Sequence, residues 1–220
     1  MRAPVEKPDA ARLIREGGTQ MGFNLDDSAV ESLVRHIEIV RQWRDRISLT
    51  SLDVEEIMAV RHVLDSLTVF KVLPKGAGLR LLDIGTGAGF PGVALRIVDE
   101  SILLTLLDRD PKKIVFLKVL TRKLGLSDIA FLNRSLADFL RDRSREVFDV
   151  VISRAFSSDT SVLAAAYELL AGDGSLIRMC GPASLEADIA LPLFRVVDTW
   201  EGTLPFSERY RRVIRYVREP

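Results

Sequence analysis

The first third of the chain places its hydrophobic side chains at helical spacing. A short helix is predicted over residues 10–16, ending at a pair of glycines. A capping box that pairs Ser28 with Glu31 predicts the start of a second helix, and a similar box at Asp53 predicts a third. The apolar stripes of the second and third helices are formed by Val30, Leu33, Val34 and Ile37, and by Ile57, Leu64 and Leu67.

From residue 79 onward, short hydrophobic runs alternate with helical stretches. This alternation is typical of parallel strands connected by helices. The predicted strands are residues 79–84, 102–107, 129–132, 148–152 and 175–180, and the predicted helices are residues 91–98, 111–124, 135–140 and 159–170. Two further runs, 194–198 and 210–217, predict neighbouring antiparallel strands. The sequence therefore predicts an α/β fold with a doubly wound, mainly parallel, Rossmann-like sheet over residues 77–220 and an N-terminal helical extension over residues 1–76.

Composition and charge restrict the class of protein. The chain is 47% hydrophobic and 28% charged, as in ordinary globular domains. Its formal net charge of zero argues against avid binding to naked nucleic acid, although five arginines and no acid lie between residues 209 and 218. Cys180 is the single cysteine, the N-terminus lacks the apolar core of a signal peptide, and no apolar run could span a bilayer. We therefore expect a cytoplasmic protein without membrane contact, and we expect a monomer.

A glycine-rich loop between the first strand and the following helix is the clearest chemical signal. It reads Asp83-Ile-Gly-Thr-Gly-Ala-Gly-Phe-Pro-Gly92, with glycines at 85, 87, 89 and 92. Glycine allows a backbone to approach a ligand closely and to adopt positive φ. Such a loop, in this strand-to-helix context, predicts a nucleotide-like cofactor.

Two cofactors compete for this loop. The run from Gly87 to Gly92 formally matches the dinucleotide fingerprint of NAD enzymes, but there the first glycine directly ends the strand. Here Asp83 stands at the strand tip, where it would repel a pyrophosphate and attract the cationic amino-acid end of S-adenosylmethionine (SAM). Asp108, at the end of the second strand, would accept the ribose hydroxyls in either case. We favour SAM, and therefore a methyltransferase.

Absent motifs narrow the choice of methyl acceptor. The sequence holds no Asn- or Asp-Pro-Pro-aromatic motif of enzymes that methylate amino groups of adenine or cytosine, and no Pro-Cys motif of pyrimidine-ring enzymes. Its two histidines, His36 and His62, and single cysteine do not predict a zinc site or any other metal site.

Three segments together resemble the signature segments of the bacterial RsmG family, also called glucose-inhibited division protein B. They are Arg61-His-Val-Leu-Asp-Ser66, Leu82-Asp-Ile-Gly-Thr-Gly-Ala-Gly-Phe-Pro-Gly92 and Val151-Ile-Ser-Arg-Ala-Phe156. The likeness extends from Ile47 to the C-terminus and keeps the order and spacing of the segments. The resemblance implies a class I methyltransferase that transfers a methyl group from SAM to N7 of a guanine in 16S ribosomal RNA. Because guanine N7 carries an unprotonated lone pair, this reaction requires no general base, and none stands out in the sequence.

The resemblance also implies roles for particular residues. It adds Phe90, Leu136, Ala137 and Arg154 to the loop and strand-end residues named above. The residues expected to bind SAM are therefore Asp83, Gly85, Gly87, Gly89, Phe90, Asp108, Leu136, Ala137 and Arg154. No catalytic residue is assigned, but Arg154 and Ser153 are candidates beside the acceptor base. Candidates for RNA contact are Arg61, His62, Arg209, Arg211, Arg212 and Arg215. For the helix that carries Arg61 and His62, a structural role stays open, including an ion pair between Arg61 and Asp65. If residues 210–217 form an alternating strand, Tyr210, Ile214 and Tyr216 would face one side and several arginines the other.

Three positions depart from the family pattern. Ser48 stands where an asparagine is usual, Ala137 where an acid is common, and Cys180 where a lysine is usual. Arg178 could replace that lysine only if it shares a face with Cys180, since side chains two apart on a strand point the same way. Two alternatives therefore stay open, a methyltransferase for a small molecule or protein and a non-catalytic module that binds SAM or RNA. An open, basic acceptor site would favour RNA, and a closed, apolar one would favour a small molecule. We expect the RNA substrate to lie within a small-subunit particle.

Overall fold

The computed structural model describes residues 9–52, 54–142, 146–154, 160–181 and 193–219. Two helices, α1 (Ala10–Gln20) and α2 (Asp27–Arg44), come first in the described part of the chain. They are followed by an uninterrupted helical segment that passes through α3 (Glu55–Met58), a π-helical stretch (Ala59–Leu64), α4 (Asp65–Leu67) and a 3₁₀ turn (Thr68–Lys71). The predicted helical extension is therefore present.

Helix α1 does not end at the two glycines, as the sequence predicted, but continues to Gln20. Gly17 is buried, and a Cβ there would lie 2.4 Å from a methyl carbon of Leu64. The missing side chain therefore permits close packing between helices and does not mark a helix end.

The predicted helix starts and the predicted stripe also need correction. Asp26, not Ser28, caps α2, because its carboxylate accepts a hydrogen bond from the backbone N–H of Ala29 at 2.7 Å. Val54 precedes α3 without a side-chain cap, and Asp53 lies outside the described residues. Ile57 is 39% exposed, since the π-helical stretch intervenes between it and the buried Leu64 and shifts the register.

The sheet contains seven strands among the described residues, in the order β3-β2-β1-β4-β5-β7-β6. Its strands are β1 (Arg80–Ile84), β2 (Leu103–Asp108), β3 (Ile129–Asn133), β4 (Phe148–Ser153), β5 (Leu170–Cys180), β6 (Phe194–Thr203) and β7 (Tyr210–Arg218). The first five strands pair in parallel, whereas β7 pairs antiparallel with both β5 and β6. The connecting helices are α5 (Gly92–Val98), α6 (Pro111–Lys123), α7 (Leu136–Arg141) and α8 (Thr160–Leu169). The predicted doubly wound, mainly parallel sheet is thus confirmed; Asp159, predicted to start α8, lies outside the described residues.

Helices cover both faces of this sheet. One hydrophobic cluster joins the N-terminal helices, α5 and α6 to one face, and a second cluster packs α7 and α8 residues against the other. Because strand order reverses between β1 and β4, their carboxyl ends flank the crevice where doubly wound sheets bind ligands. None of the helices in the described parts of the chain has the length and apolar character that a membrane span requires.

Candidate active site

The glycine loop follows β1 in a conformation that ordinary residues adopt only with strain. Gly85, Gly87 and Gly89 have φ values of 71°, 57° and 87°. The backbone N–H of Gly85 donates to the carbonyl of Leu107 at 2.8 Å, which ties the loop to β2. The nearest atom to a Cβ built on Gly87 would be the Gly85 carbonyl oxygen, at 3.8 Å, so there is room beside this part of the loop.

Asp83 lies beneath the loop and is almost completely buried. Its carboxylate accepts a hydrogen bond from the backbone N–H of Gly92 at 3.0 Å. Burial raises the pKa of Asp83 to about 6, although that hydrogen bond and the positive charge of Arg154 act in the opposite direction. A Cβ on Gly92 would lie 2.7 Å from the carboxylate, which explains the glycine there.

Asp108 holds the loop from the neighbouring strand. One oxygen accepts from the backbone N–H of Gly87 at 3.1 Å, and the other accepts from that of Asp110 at 3.0 Å. Asp110, in turn, caps α6. These hydrogen bonds leave room for a ligand, because a carboxylate has about four acceptor positions.

These residues fit SAM. Two carboxylates flank the loop at the ends of adjacent strands, one for a cationic group and one for hydroxyl groups. At the end of β4, the hydroxyl of Ser153 is buried and has no hydrogen-bond partner among the described residues. A buried polar atom without a partner is costly and is consistent with a ligand at this position.

A stack of three aromatic rings joins the loop to the N-terminal helices. The ring of Phe90 lies between His36 and His62, with centroid distances of 4.0 Å and 5.0 Å and interplanar angles of 6° and 14°. His36 Nε2 bonds to the carbonyl of Ala88 within the loop at 2.8 Å. Burial lowers the pKa of His36 to about 4, so the ring is neutral at physiological pH and donates this hydrogen bond.

His62 connects the stack to Arg154. A guanidinium group can only donate, so Nδ1 of His62 accepts from Arg154 Nη1 at 3.3 Å. Burial, aided by nearby Arg154, lowers the pKa of His62 to about 3. In the neutral ring Nε2 therefore carries the proton and donates to the hydroxyl of Thr50 at 2.9 Å. This series of hydrogen bonds from Thr50 through His62 holds Arg154 beside the loop.

Asp65 pairs with Arg211 on β7, and not with Arg61 as the sequence suggested. Arg211 Nε lies 2.6 Å from one carboxylate oxygen and Nη2 lies 3.4 Å from the other. The two side chains are only 12% and 3% exposed. The pairing required the C-terminal hairpin to fold against the N-terminal helices, which sequence spacing alone does not reveal.

An open, polar cavity of about 360 Å³ lies beside His62 and Arg154. Its described lining consists of Thr50, Ser51, Leu52, Arg61, His62, Asp65, Arg154, Arg209 and Arg211. Four of the RNA candidates, Arg61, His62, Arg209 and Arg211, are therefore brought together around one space.

The other arginines of β7 lie elsewhere. Arg212 lies on the same face of β7 as Ile214 and Tyr216, which pack in the second hydrophobic cluster. Its guanidinium group forms an ion pair with Glu201 at 2.7 Å. Arg215 lies one residue after Ile214 and outside the described lining of the cavity. The strand alternates, with Tyr210, Ile214 and Tyr216 on one side as predicted. Only Arg211 and Arg215 lie on the other side, because Arg212 and Arg218 share the side of the tyrosines.

The remaining predicted residues lie where the sequence suggested. Leu136 and Ala137 begin α7 beyond the end of β3. Asp138, which follows Ala137, is engaged in the helix cap, where it bonds with the hydroxyl of Ser135 at 2.6 Å. Asp138 therefore takes part in the cap of α7, whose N-cap residue is Ser135.

Two departures from the family pattern can also be located. Cys180 is buried; burial raises the pKa of its thiol, while neighbouring Arg178 and Arg212 act to lower it. The register of β5 places Arg178 on the same face as Cys180, away from the cavity side that carries Arg211. Arg178 therefore meets the condition set for replacing the family's lysine, since it shares a strand face with Cys180. The other departure, Ser48, is exposed in the loop after α2.

His36 and Thr50 are site residues that sequence reasoning missed. His36 falls among buried apolar positions of α2, and a buried polar group at such a position needs a partner. That signal could have marked His36. Thr50 lies in an irregular loop, and nothing in the local sequence indicates its contact with His62.

Comparison with known proteins identifies the family. The family described as rRNA small subunit methyltransferase G matches residues 29–190, which is most of the chain. The chain belongs to this family. Among relatives named "Ribosomal RNA small subunit methyltransferase G", one from Alkaliphilus metalliredigens is 30% identical, covering 91% of this chain and 87% of its own. Another, from Geobacter, is 36% identical and covers 80% of each chain, and one from Shewanella piezotolerans is 31% identical, covering 94% and 97%.

Solved structures support the fold of this rRNA small subunit methyltransferase G family member. A mutant of MtNAS in complex with S-adenosylmethionine has a TM-score of 0.59 at 16% identity, covering 96% of this chain and 78% of that chain. TrmN from Thermus thermophilus has a TM-score of 0.53 at 18% identity, covering 70% and 48%. At these identities the likeness establishes the class I methyltransferase fold.

Proposed function

We propose that this protein transfers the methyl group of SAM to N7 of a guanine in 16S rRNA. Membership of the rRNA small subunit methyltransferase G family supports the reaction and the substrate class. The observation that carries the proposal is the basic cavity next to the glycine loop. An open wall with four arginines suits RNA, whereas a small-molecule enzyme would need a closed, apolar pocket.

The cofactor would be held by the glycine loop, by Asp83 and Asp108, and by the residues that begin α7. Bound SAM supplies an electrophilic methyl group. Asp83 would neutralise the cationic amino-acid end, Asp108 would accept the ribose hydroxyls, and Leu136 and Ala137 would frame the adenine. Phe90 is held between two neutral histidines and would fix the loop that contacts the cofactor.

The acceptor side needs orientation more than proton transfer. Guanine N7 has a free lone pair, so the protein has no proton to remove before the new bond forms. Ser153 and Arg154 lie at the end of β4, where they would contact the base or the cofactor. We assign them an orienting role, in which Arg154 is kept in place by His62.

The setting of the reaction follows from the substrate. We infer that the protein acts in the cytoplasm, as a monomer, on rRNA that already carries ribosomal proteins. The zero formal net charge supports a particle substrate, because the chain lacks the overall charge for avid binding to naked RNA. We also retain the division into a helical extension (1–76) and a methyltransferase domain (77–220).

The test is to incubate the protein with methyl-labelled SAM and small subunits that lack the modification, and then to map 7-methylguanine by chemical cleavage. Label at a single guanine of 16S rRNA is expected, with faster incorporation into particles than into naked rRNA. Label confined to protein or a small molecule would overturn the proposal. Faster methylation of naked rRNA would refute only the particle substrate.

A further inference from the structure

The basic cavity is assembled from four separate parts of the chain. The loop after α2 contributes Thr50, the π-helical stretch contributes Arg61, and β4 is followed by Arg154. Arg209 and Arg211 come from the start of β7 and the turn before it. Its volume, about 360 Å³, lies within the range of pockets that hold small molecules.

Positive charge exceeds negative charge on the described wall of the cavity. Four arginines face it, and Asp65 is the single carboxylate among its described lining residues. Asp65 is already bonded in bidentate fashion by Arg211. Burial and the charges of Arg211 and Arg61 lower the pKa of Arg209, which indicates that these cations are close together. Grouped like charges favour an anion between them.

The donors around this cavity are held in position. Arg211 is fixed by Asp65, and Arg154 is fixed by the acceptor Nδ1 of His62. The hydroxyl oxygen of Thr50 accepts from His62 Nε2 and from the backbone N–H of Leu52 at 3.1 Å. Its acceptor positions are therefore filled, and the hydroxyl proton is left to donate to a group in the cavity.

We propose that this cavity binds a backbone phosphate of the RNA next to the target guanosine, with Arg209 and Arg61 as its direct ligands. The proposal rests on the proposed function and adds the anchor of the acceptor strand. Guanidinium groups and a hydroxyl donor suit phosphate oxygens, which accept several hydrogen bonds at once. Arg211 and His62 act as positioning residues, since their own bonds hold the wall. The phosphate would then fix the strand so that the base reaches the end of β4.

The experiment measures methylation of unmodified small subunits over a range of salt concentrations for Arg209→Gln and Arg61→Gln. We expect KM for the particle to rise about tenfold in each variant, as for loss of a charged hydrogen bond. The slope of log affinity against log salt should fall by about 0.7 to 0.9 per lost contact. The affinity for SAM should be unchanged.

Two further variants sharpen the test. Arg195→Gln removes a cation from the opposite end of the β6–β7 hairpin, near Phe194 and Arg218, and should leave KM and the salt slope as in the wild type. Arg209→Lys keeps the charge but not the planar fork, so it should restore the salt slope and recover only part of the affinity.

The outcomes separate this inference from the proposed function. If the wild-type protein methylates the particle but Arg209→Gln and Arg61→Gln keep the wild-type KM and salt slope, the phosphate site is wrong and the function stands. If these variants instead lose SAM affinity, the cavity serves the carboxylate of the cofactor, and the phosphate site is again refuted. Absence of methylation by the wild-type protein itself would count against the proposed function.

Discussion

Asp83 shows how burial changes the protonation of a single carboxyl group. Its carboxyl group is enclosed by the glycine loop and α5, and burial raises its pKa to about 6. In the ligand-free protein the charged form is therefore costly, and stability is lost as pH rises from about 4 through 6. A cationic ligand would compensate for that cost.

The first prediction concerns the pH dependence of SAM binding. In the wild-type protein the Kd for SAM should rise, by roughly tenfold, as pH falls from about 7 to 5, because protonation removes the negative charge of Asp83. In Asp83→Asn, which can still accept the hydrogen bond from Gly92, binding should be weak and nearly independent of pH. Isothermal titration calorimetry across this range measures both. An equally steep pH profile in Asp83→Asn would show that another group is responsible.

The second prediction concerns Gly85, whose φ of 71° is shared by Gly125 at 69°. Gly85→Val and Gly125→Val should each lose stability by a similar amount, on the order of 1–3 kcal/mol, because both force a branched residue into the left-handed region. Only Gly85→Val should also lose SAM affinity, at least about tenfold, since its side chain would occupy the cofactor's space. Gly125 follows α6 and is the matched control for backbone strain. Equal SAM affinity in the two variants would contradict the placement of the loop.

At the scale of elements, the helical segments depend on contacts that propensity does not describe. Helix α1 continues through Gly17 because this glycine packs against Leu64. The π-helical stretch that contains Leu64 also carries Arg61 and His62 to the cavity. Helices of this type occur often at functional sites. Packing of α1 and presentation of two candidate site residues are thus linked within one segment.

The third prediction tests this contact. Gly17→Ala would gain about 1 kcal/mol from helix propensity alone. We expect it instead to destabilise the protein by about 1–3 kcal/mol, because the new methyl group overlaps Leu64. In a Leu64→Ala background, where that overlap is absent, the same substitution should be neutral or stabilising. Urea unfolding of the four proteins completes a double-mutant cycle, and additive effects would rule out the contact.

At the scale of the whole molecule, the hairpin β6–β7 closes the fold onto the N-terminal helices. Arg211 and Asp65 are 146 residues apart in sequence and form a largely buried ion pair. The first hydrophobic cluster includes residues from Ala10 to Val213. The N-terminal helices and the sheet are therefore packed through one core.

The fourth prediction follows from this pair. Asp65→Leu should destabilise the protein by about 3–5 kcal/mol, because Arg211 would be left buried without its partner. The double variant Asp65→Leu/Arg211→Met should recover much of that loss. Glu16→Ala, which breaks an exposed pair with Arg12, should have a much smaller effect. Thermal unfolding compares the four proteins, and a double variant as unstable as Asp65→Leu would argue against the pair.

Local sequence patterns were enough to predict the fold class and the acids at the strand ends. Alternating strand and helix patterns, the glycine run and Asp83 are local features, and local spacing is sufficient to define a doubly wound sheet with a loop at the tip of β1. The end of α6 near Gly125 and the cap before α7 were also predictable, because both depend on side chains within a few residues.

The contacts between distant segments could be seen only in the folded protein. The stack of Phe90 between His36 and His62, the bond between His62 and Arg154, and the pairing of Asp65 with Arg211 join residues that are far apart in the chain. Such contacts depend on where β7 and the N-terminal helices pack, and that is set by the shared core and not by any local pattern. For this reason the basic cavity emerged from the fold, whereas its separate arginines were visible in the sequence only as candidates.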